Sequence, residues 1–455
     1  MSTPRIWGPI TGGRRGWPFA AAIADLPAAG YVEEEYFFAG EAPLYRATAT
    51  RSDGRWSTER AGSQPFRSRI LMRRPLDPAK FNGTVIVHWS NVTAGFENIG
   101  CESAAYLDGF AIAAVSAQRV GVHGFEDEPR QGLHSWDPER YGELHIANDD
   151  LSYGIFTLTA QLVGPNRPLG GVDPMGGLQV ERLLAGGASQ SAGRLAAYIN
   201  GVQPIERMFQ GFLPTIYFGS ATPLNTEGAA PVRPGGRPVQ RVNVLLRDDL
   251  GVPIFVVNTE TETMAYLGSR QPDTHEFRFW ELAGCSHVST ATAPLAEARY
   301  RRDWGVARPV MKFAKPPNGL PTVPVMDAAL AAMQRWMSEG VAPPTFAPIT
   351  VTGEPPEIAR DADGNALGGI RMPDFDVPLA ASTGNGDGAE PLAFLYGTTI
   401  PFEAGRLAAL YPSREAYLTK YRAAATRAVD AGYLLPRDAA ALVALAVAEA
   451  RPGQP

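Results

Sequence analysis

Five short apolar runs constrain this chain more than any other feature. They are Thr84–Trp89 and residues 110–115, 180–184, 252–257 and 276–282. A strand with one wet face alternates apolar and polar residues. These runs mostly do not, so they suit strands covered on both faces of a parallel sheet. Helical stretches at 150–163 and 192–199 fall between them. Alternating strands and helices imply an α/β class with a mostly parallel, doubly wound sheet. Two short strand-like runs, 33–38 and 66–73, precede this pattern.

The chain can supply the core such a sheet needs. Of its 455 residues 45% are hydrophobic and 19% charged, which excludes global disorder. Lys+Arg 41 against Asp+Glu 47 gives a net charge of −6, so no basic footprint points to nucleic acid. No apolar run approaches the ~18 residues of a membrane span, and no membrane partner is expected. The first residues, MSTPRIWGPITGG, lack the apolar stretch of a secretory signal, so a cytoplasmic location is expected, with a processed secreted form as the alternative. Cys101 and Cys285 are expected as free buried thiols, a bridge between them being the alternative. No Gly-x-Gly-x-x-Gly follows the first buried strand, and no His-Glu-x-x-His occurs, so neither a cofactor nor a metal is expected.

The segment Leu183-Leu184-Ala185-Gly186-Gly187-Ala188-Ser189-Gln190-Ser191-Ala192-Gly193 leaves a buried strand and opens a helix. A serine at the tip of such a turn is a nucleophile elbow, whose sharpness demands small neighbours. Gly187, two before Ser189, fits, while Ser191 stands where a second glycine is usual. A frame with Ser191 as nucleophile is the alternative. The plain reading is that small residues merely let the helix pack closely on the strand.

A serine needs a base within hydrogen-bond reach. In this arrangement the order is serine, acid, histidine. Only His275 and His287 follow Ser189 in the chain. His287 sits in Ala283-Gly284-Cys285-Ser286-His287, just past the last strand-like run, whereas His275 precedes that run. The acid belongs in the loop after run 252–257, where Glu260 and Glu262 compete. Glu262 lies 262 − 253 = 9 residues past Pro253, and is preferred. For the oxyanion, the backbone N–H of Gln190 and one from Ser90 or Asn91 are the candidates.

Beyond about residue 305 the pattern turns helical and linker-like. Met326, Leu330, Met333 and Met337 recur at helical spacing, and Gly340 ends that helix. The glycine cluster 384–388 reads as a surface loop. Helices are expected at 413–431 and behind an Asp438 cap.

Several motifs together resemble a bacterial group of large α/β-hydrolase-domain proteins. These are Gly187-Ala188-Ser189-Gln190-Ser191, Asn91-Val92-Thr93 and Thr259-Glu260-Thr261-Glu262. Trp280 to His287, Gly368-Gly369-Ile370-Arg371 with Pro373, Gly8-Pro9-Ile10 and the segment from Gly30 to Tyr36 match as well. The likeness spans nearly the whole chain. It implies an α/β-hydrolase fold as one catalytic unit, 1–455, with an integral C-terminal extension at 305–455; the long segment 219–250 of this sequence is expected to be a lid insertion. The group commonly carries aspartate at the acid position, so this chain departs with glutamate, and both Glu262 and Glu260 stay open. The triad residues point to a serine hydrolase cleaving a small-molecule carboxylic ester through an acyl-enzyme, and the resemblance strengthens fold and triad more than specificity. Acyl transfer, lactone opening or peptide hydrolysis at the same site are alternatives, as is a silent scaffold used for binding.

Overall fold

The computed structural model describes residues 3–126, 131–168, 170–225, 243–388 and 390–449. Nine strands form the main sheet: β1 (Arg5–Trp7), β2 (Tyr31–Ala49), β3 (Ser57–Pro75), β4 (Thr84–Trp89), β5 (Ala111–Val115), β6 (Arg182–Ala188), β7 (Gly211–Thr215), β8 (Ile254–Thr259) and β9 (Phe277–Leu282). Their order is β1-β2-β3-β5-β4-β6-β7-β8-β9. The chain divides into two compact units. The first comprises 1–255, 268–277 and 302–305, and the second 256–267, 278–301 and 306–455.

In the first unit, β2 and β3 form a long antiparallel hairpin, from Tyr31↔Pro75 to Ala49↔Ser57, with two register irregularities. β3 pairs antiparallel with β5. From there β5, β4, β6 and β7 run parallel, with Ile86 opposite both Ile112 and Leu184. Every residue of β4 and β5 is buried, as expected of strands covered on both sides. Each buried Val or Ile side chain there contributes ~1.5–3 kcal/mol of hydrophobic stabilisation. The Ser152–Val163 helix packs close to the hairpin. A Cβ on Gly154 would stand 2.3 Å from the Pro43 carbonyl, so only glycine fits. Phe156 of this helix stacks on Trp89 of β4, their ring centroids 4.5 Å apart.

The expectation for the 219–250 insertion falls partly outside the described residues, at 226–242. Its described flanks meet in an isolated Ser220↔Asn243 bridge. Thr222 N–H also donates to the Gly193 carbonyl at 2.9 Å.

In the second unit, the Val323–Glu339 helix buries Leu330, Met333 and Trp336 and stops at Gly340, whose φ is 74°. Of the expected stripe, Leu330 and Met333 are core, while Met326 and Met337 are only partly buried. The Arg414–Asp430 helix starts at Ser413, whose hydroxyl accepts from Ala416 N–H at 3.1 Å. The closing helix runs Pro436–Glu449. Asp438 therefore lies inside its first turn rather than capping it. Proline suits a first helical position because its missing N–H would have no partner there. Both cysteines are free and buried. Among the described residues, no helix is long and apolar enough to cross a membrane.

Candidate active site

The first unit carries the serine. β6 runs out at Ala188, and the Gln190–Ala197 helix begins two residues later. Ser189 between them takes φ 60° and ψ −117°. A non-glycine residue pays strain for a positive φ of this kind, and such strain clusters at functional sites. Its N–H donates to the Thr215 carbonyl at the end of β7, at 3.0 Å. A Cβ on Gly187 would meet Leu195 Cδ1 at 3.0 Å and Ser191 Cβ at 3.2 Å, which explains the small residue there. Ser189 is partly exposed, whereas Ser191 is fully buried inside the helix. The Gln190 N–H opens the helix and so has no partner within it.

Around this turn, Asn91 Nδ2 donates to the Ala188 carbonyl at 3.0 Å, bracing the residue before the serine. The backbone N–H of Asn91 donates to the Asn98 carbonyl at 3.3 Å. This corrects the expectation for Asn91: its backbone N–H is engaged, and its side chain is the part that reaches the turn. Ser90 lies just past β4, and its buried hydroxyl, like Oε1 of Gln190, has no hydrogen-bond partner among the described residues. Gln190 Nε2 donates to Gln118 Oε1 at 3.1 Å, which also accepts from Trp89 Nε1 at 3.2 Å. Gln118 Nε2 donates to Asp149 Oδ2 at 3.1 Å, and Arg194 Nη2 donates to the same oxygen at 2.7 Å. A buried polar chain thus fixes the residue after the serine.

The second unit carries both candidate acids and His287. Glu260–Glu262 is a single 3-10 turn at the end of β8. Glu262 is fully buried, and its Oε1 lies 2.6 Å from His287 Nδ1. Its Oε2 accepts from Thr259 N–H at 2.8 Å and Thr259 Oγ1 at 2.7 Å. Both carboxylate oxygens are committed, so the Glu262 side chain holds one orientation. Glu260 points elsewhere: Oε2 accepts from Gly284 N–H at 2.7 Å, and Oε1 pairs with Arg360 Nη2 at 2.7 Å. Of the two candidate acids, the structure brings Glu262 and not Glu260 to His287. The His287 N–H donates to Thr261 Oγ1 at 2.9 Å.

The other histidines are placed differently. The side chain of His275 is 84% exposed beside Glu276. Burial, with Arg73 adding, pushes His88 down to about 4. Burial and the neighbouring His134 do the same to His123. Burial and the nearby Glu260 raise the Cys285 thiol above its usual range.

Residue spacing had not marked Thr259, Thr261, Gln118, Asp149 or Arg360. A signal for Thr259 was present, because Thr259-x-x-Glu262 is a capping box. Thr261 lies in the Thr-Glu-Thr-Glu motif, while Gln118, Asp149 and Arg360 have no local pattern. The glycine cluster is loop at 385–388, with Asn385, Asp387 and Gly388 exposed, but its first residue departs from expectation. Gly384 is buried, its carbonyl accepts from Thr261 Oγ1, and a Cβ there would stand 2.5 Å from Thr261 N.

A sequence profile of the family described as "Alpha/beta hydrolase domain" matches residues 6–444. The chain belongs to this family. Its fold is the α/β-hydrolase fold that the strand order describes. The chain has no match among curated proteins. Among solved structures, the chain is similar to the esterase Est22, at 14% identity over 56% of this chain and 73% of that one, with a TM-score of 0.28. It is similar to XC6422 from Xanthomonas campestris, an α/β serine hydrolase without a lid, at 11% identity over 60% and 97%, with a TM-score of 0.28. It is also similar to oligopeptidase B from Leishmania major, at 13% identity over 56% and 33%, with a TM-score of 0.29. Likenesses this distant carry no argument about what this chain does.

Proposed function

We propose that the chain is a serine hydrolase that cleaves carboxylic esters through an acyl-enzyme. Ser189 is the nucleophile, His287 the general base and Glu262 the acid. The observation that carries this reading is the strained turn at Ser189, with φ 60° and ψ −117° on a partly exposed serine. A side chain held in that conformation at a strand–helix junction is presented outward, as an attacking group must be. The committed Glu262–His287 contact supports it, since it dictates which ring nitrogen faces the acid.

In this mechanism the Ser189 Oγ forms a bond to the ester carbonyl carbon while His287 Nε2 takes the hydroxyl proton. Glu262 keeps Nδ1–H oriented and stabilises the imidazolium. The Gln190 N–H and a donor from the Ser90 loop hold the oxyanion, each such donor contributing ~2.7–4 kcal/mol to the transition state. The alcohol leaves with the proton from Nε2. Water, deprotonated by the same nitrogen, then releases the acid and restores Ser189. Unpartnered buried oxygens on Ser90 and Gln190 support a polar lining on this side, because buried polar atoms in native structures usually find partners.

The test is pre-steady-state hydrolysis of p-nitrophenyl acetate, butyrate and octanoate. The reading predicts turnover of at least one ester and an acyl adduct trapped on Ser189. Absence of turnover on all three and on a lactone and a peptide amide would contradict it.

A further inference from the structure

We propose that Glu260 and Arg360 form a positioning clamp that sets the backbone of the His287 loop, so that the C-terminal extension controls where the general base stands. The proposal rests on the reading of His287 as base and goes beyond it, because neither clamp residue touches the reacting atoms.

The turn that bears the acid also holds the loop that bears the base. Glu260 N–H donates to the Cys285 carbonyl at 3.1 Å. Its carboxylate accepts from Gly284 N–H, and Thr261 Oγ1 accepts from His287 N–H. Residues 284, 285 and 287 are thus each bonded through their backbone to residue 260 or 261. Glu262 then takes the ring of the same histidine. Ring and backbone of His287 share one support, three residues long.

That support is braced from the extension. Arg360 ion-pairs with Glu260 at 2.7 Å, and Glu260 is fully buried while the Arg360 side chain is 31% exposed. Asn318 Nδ2 donates to the Gly284 carbonyl at 2.6 Å and to the Thr383 carbonyl at 3.0 Å. Gly284 itself has φ 72°, and a Cβ there would fall 2.1 Å from a ring atom of Phe375. The loop therefore has little freedom while the clamp is closed. A buried carboxylate that loses its cation is left uncompensated, which is costly. It relieves this by moving or by admitting water, and either displaces Gly284. A shift of about 1 Å at a catalytic group can cost ~10²-fold in rate.

Arg360→Ala is the informative change because it removes a partly exposed group and leaves the core intact. Glu260→Gln is the second. An amide can accept from Gly284 or from Arg360, but its NH₂ then faces the other donor. Both should lower kcat about 10- to 100-fold with KM within about twofold, and Arg360→Lys should recover part of the loss. The double variant should be no worse than the worse single one, as coupled partners are non-additive. Rates are normalised to the sites labelled by a fluorophosphonate, so a loss of folded protein does not register. Amide hydrogen exchange over 284–287 is measured on the same full-length samples, and should quicken in Arg360→Ala. Normal kcat and normal exchange in Arg360→Ala, in an active wild type, would overturn the clamp alone. Faster exchange with normal kcat would overturn its hold on the base. A wild type that neither turns over esters nor labels at Ser189 would instead sink the hydrolase reading, and the catalytic role of the clamp with it.

Discussion

The serine and the histidine are held by opposite means. Ser189 is placed by backbone: a strand, a strained turn and a helix that follow one another in sequence, with Gly187 small enough to let Leu195 close in. His287 is placed by polar side chains drawn from far along the chain, with Glu262, Thr261 and Glu260 on one loop and Arg360 behind them. The first arrangement is local and steric at Ser189 itself, with long-range polar braces on its neighbours Ala188 and Gln190. The second is long-range and electrostatic. The serine side should therefore be sensitive to added atoms, and the histidine side to lost partners.

Breaking the chemistry itself should give the largest effects. Ser189→Ala and His287→Ala are each expected to lower kcat by ~10⁶-fold, by comparison with serine–histidine–carboxylate sites in general. Ser191→Ala, in the same motif, should stay within a few-fold. Steady-state rates on one ester compare all three. Next comes the acid: Glu262→Gln should cost ~10⁴-fold, because an amide can leave the imidazole in the wrong tautomer.

Smaller losses separate the two kinds of support. Thr259→Val removes one hydrogen bond to Glu262 and should lower kcat about tenfold, or ~1.4 kcal/mol in the barrier. Asn91→Ala removes the brace on Ala188. It should cost less than Thr259→Val, since the turn keeps its Ser189–Thr215 bond and its steric walls. Equal or larger loss in Asn91→Ala would mean the serine side also depends on polar support. The smallest effect is His275→Ala, expected to leave activity unchanged, as its ring is in solvent.

Legibility from sequence follows the same division. The runs at β4, β5, β8 and β9 were readable because strands buried on both faces lose alternation, and the elbow because its small residues are neighbours in sequence. β7 was not readable: Gly211 and Pro214 sit in a five-residue strand, and proline ordinarily argues against a strand interior. The hairpin was legible only in part. Gly40, Pro43, Gly62 and Pro65 look like breaks, yet the strands continue through them for 19 residues each. On the histidine side, Glu262 could be preferred over Glu260 by spacing. What Glu260 does instead could not be read, because Arg360 lies 100 residues away. Gly384 shows the same limit, since a loop of glycines reads as free when its packing partner, Thr261, is distant in the chain.

The central claim is that Ser189 is the attacking group. Labelling the full-length protein with a fluorophosphonate, then locating the adduct by peptide mass spectrometry, tests it most directly. The account predicts one adduct per chain, on Ser189, formed far more slowly in His287→Ala and absent from Ser189→Ala. An adduct on Ser191, or undiminished labelling of Ser189→Ala, would contradict it.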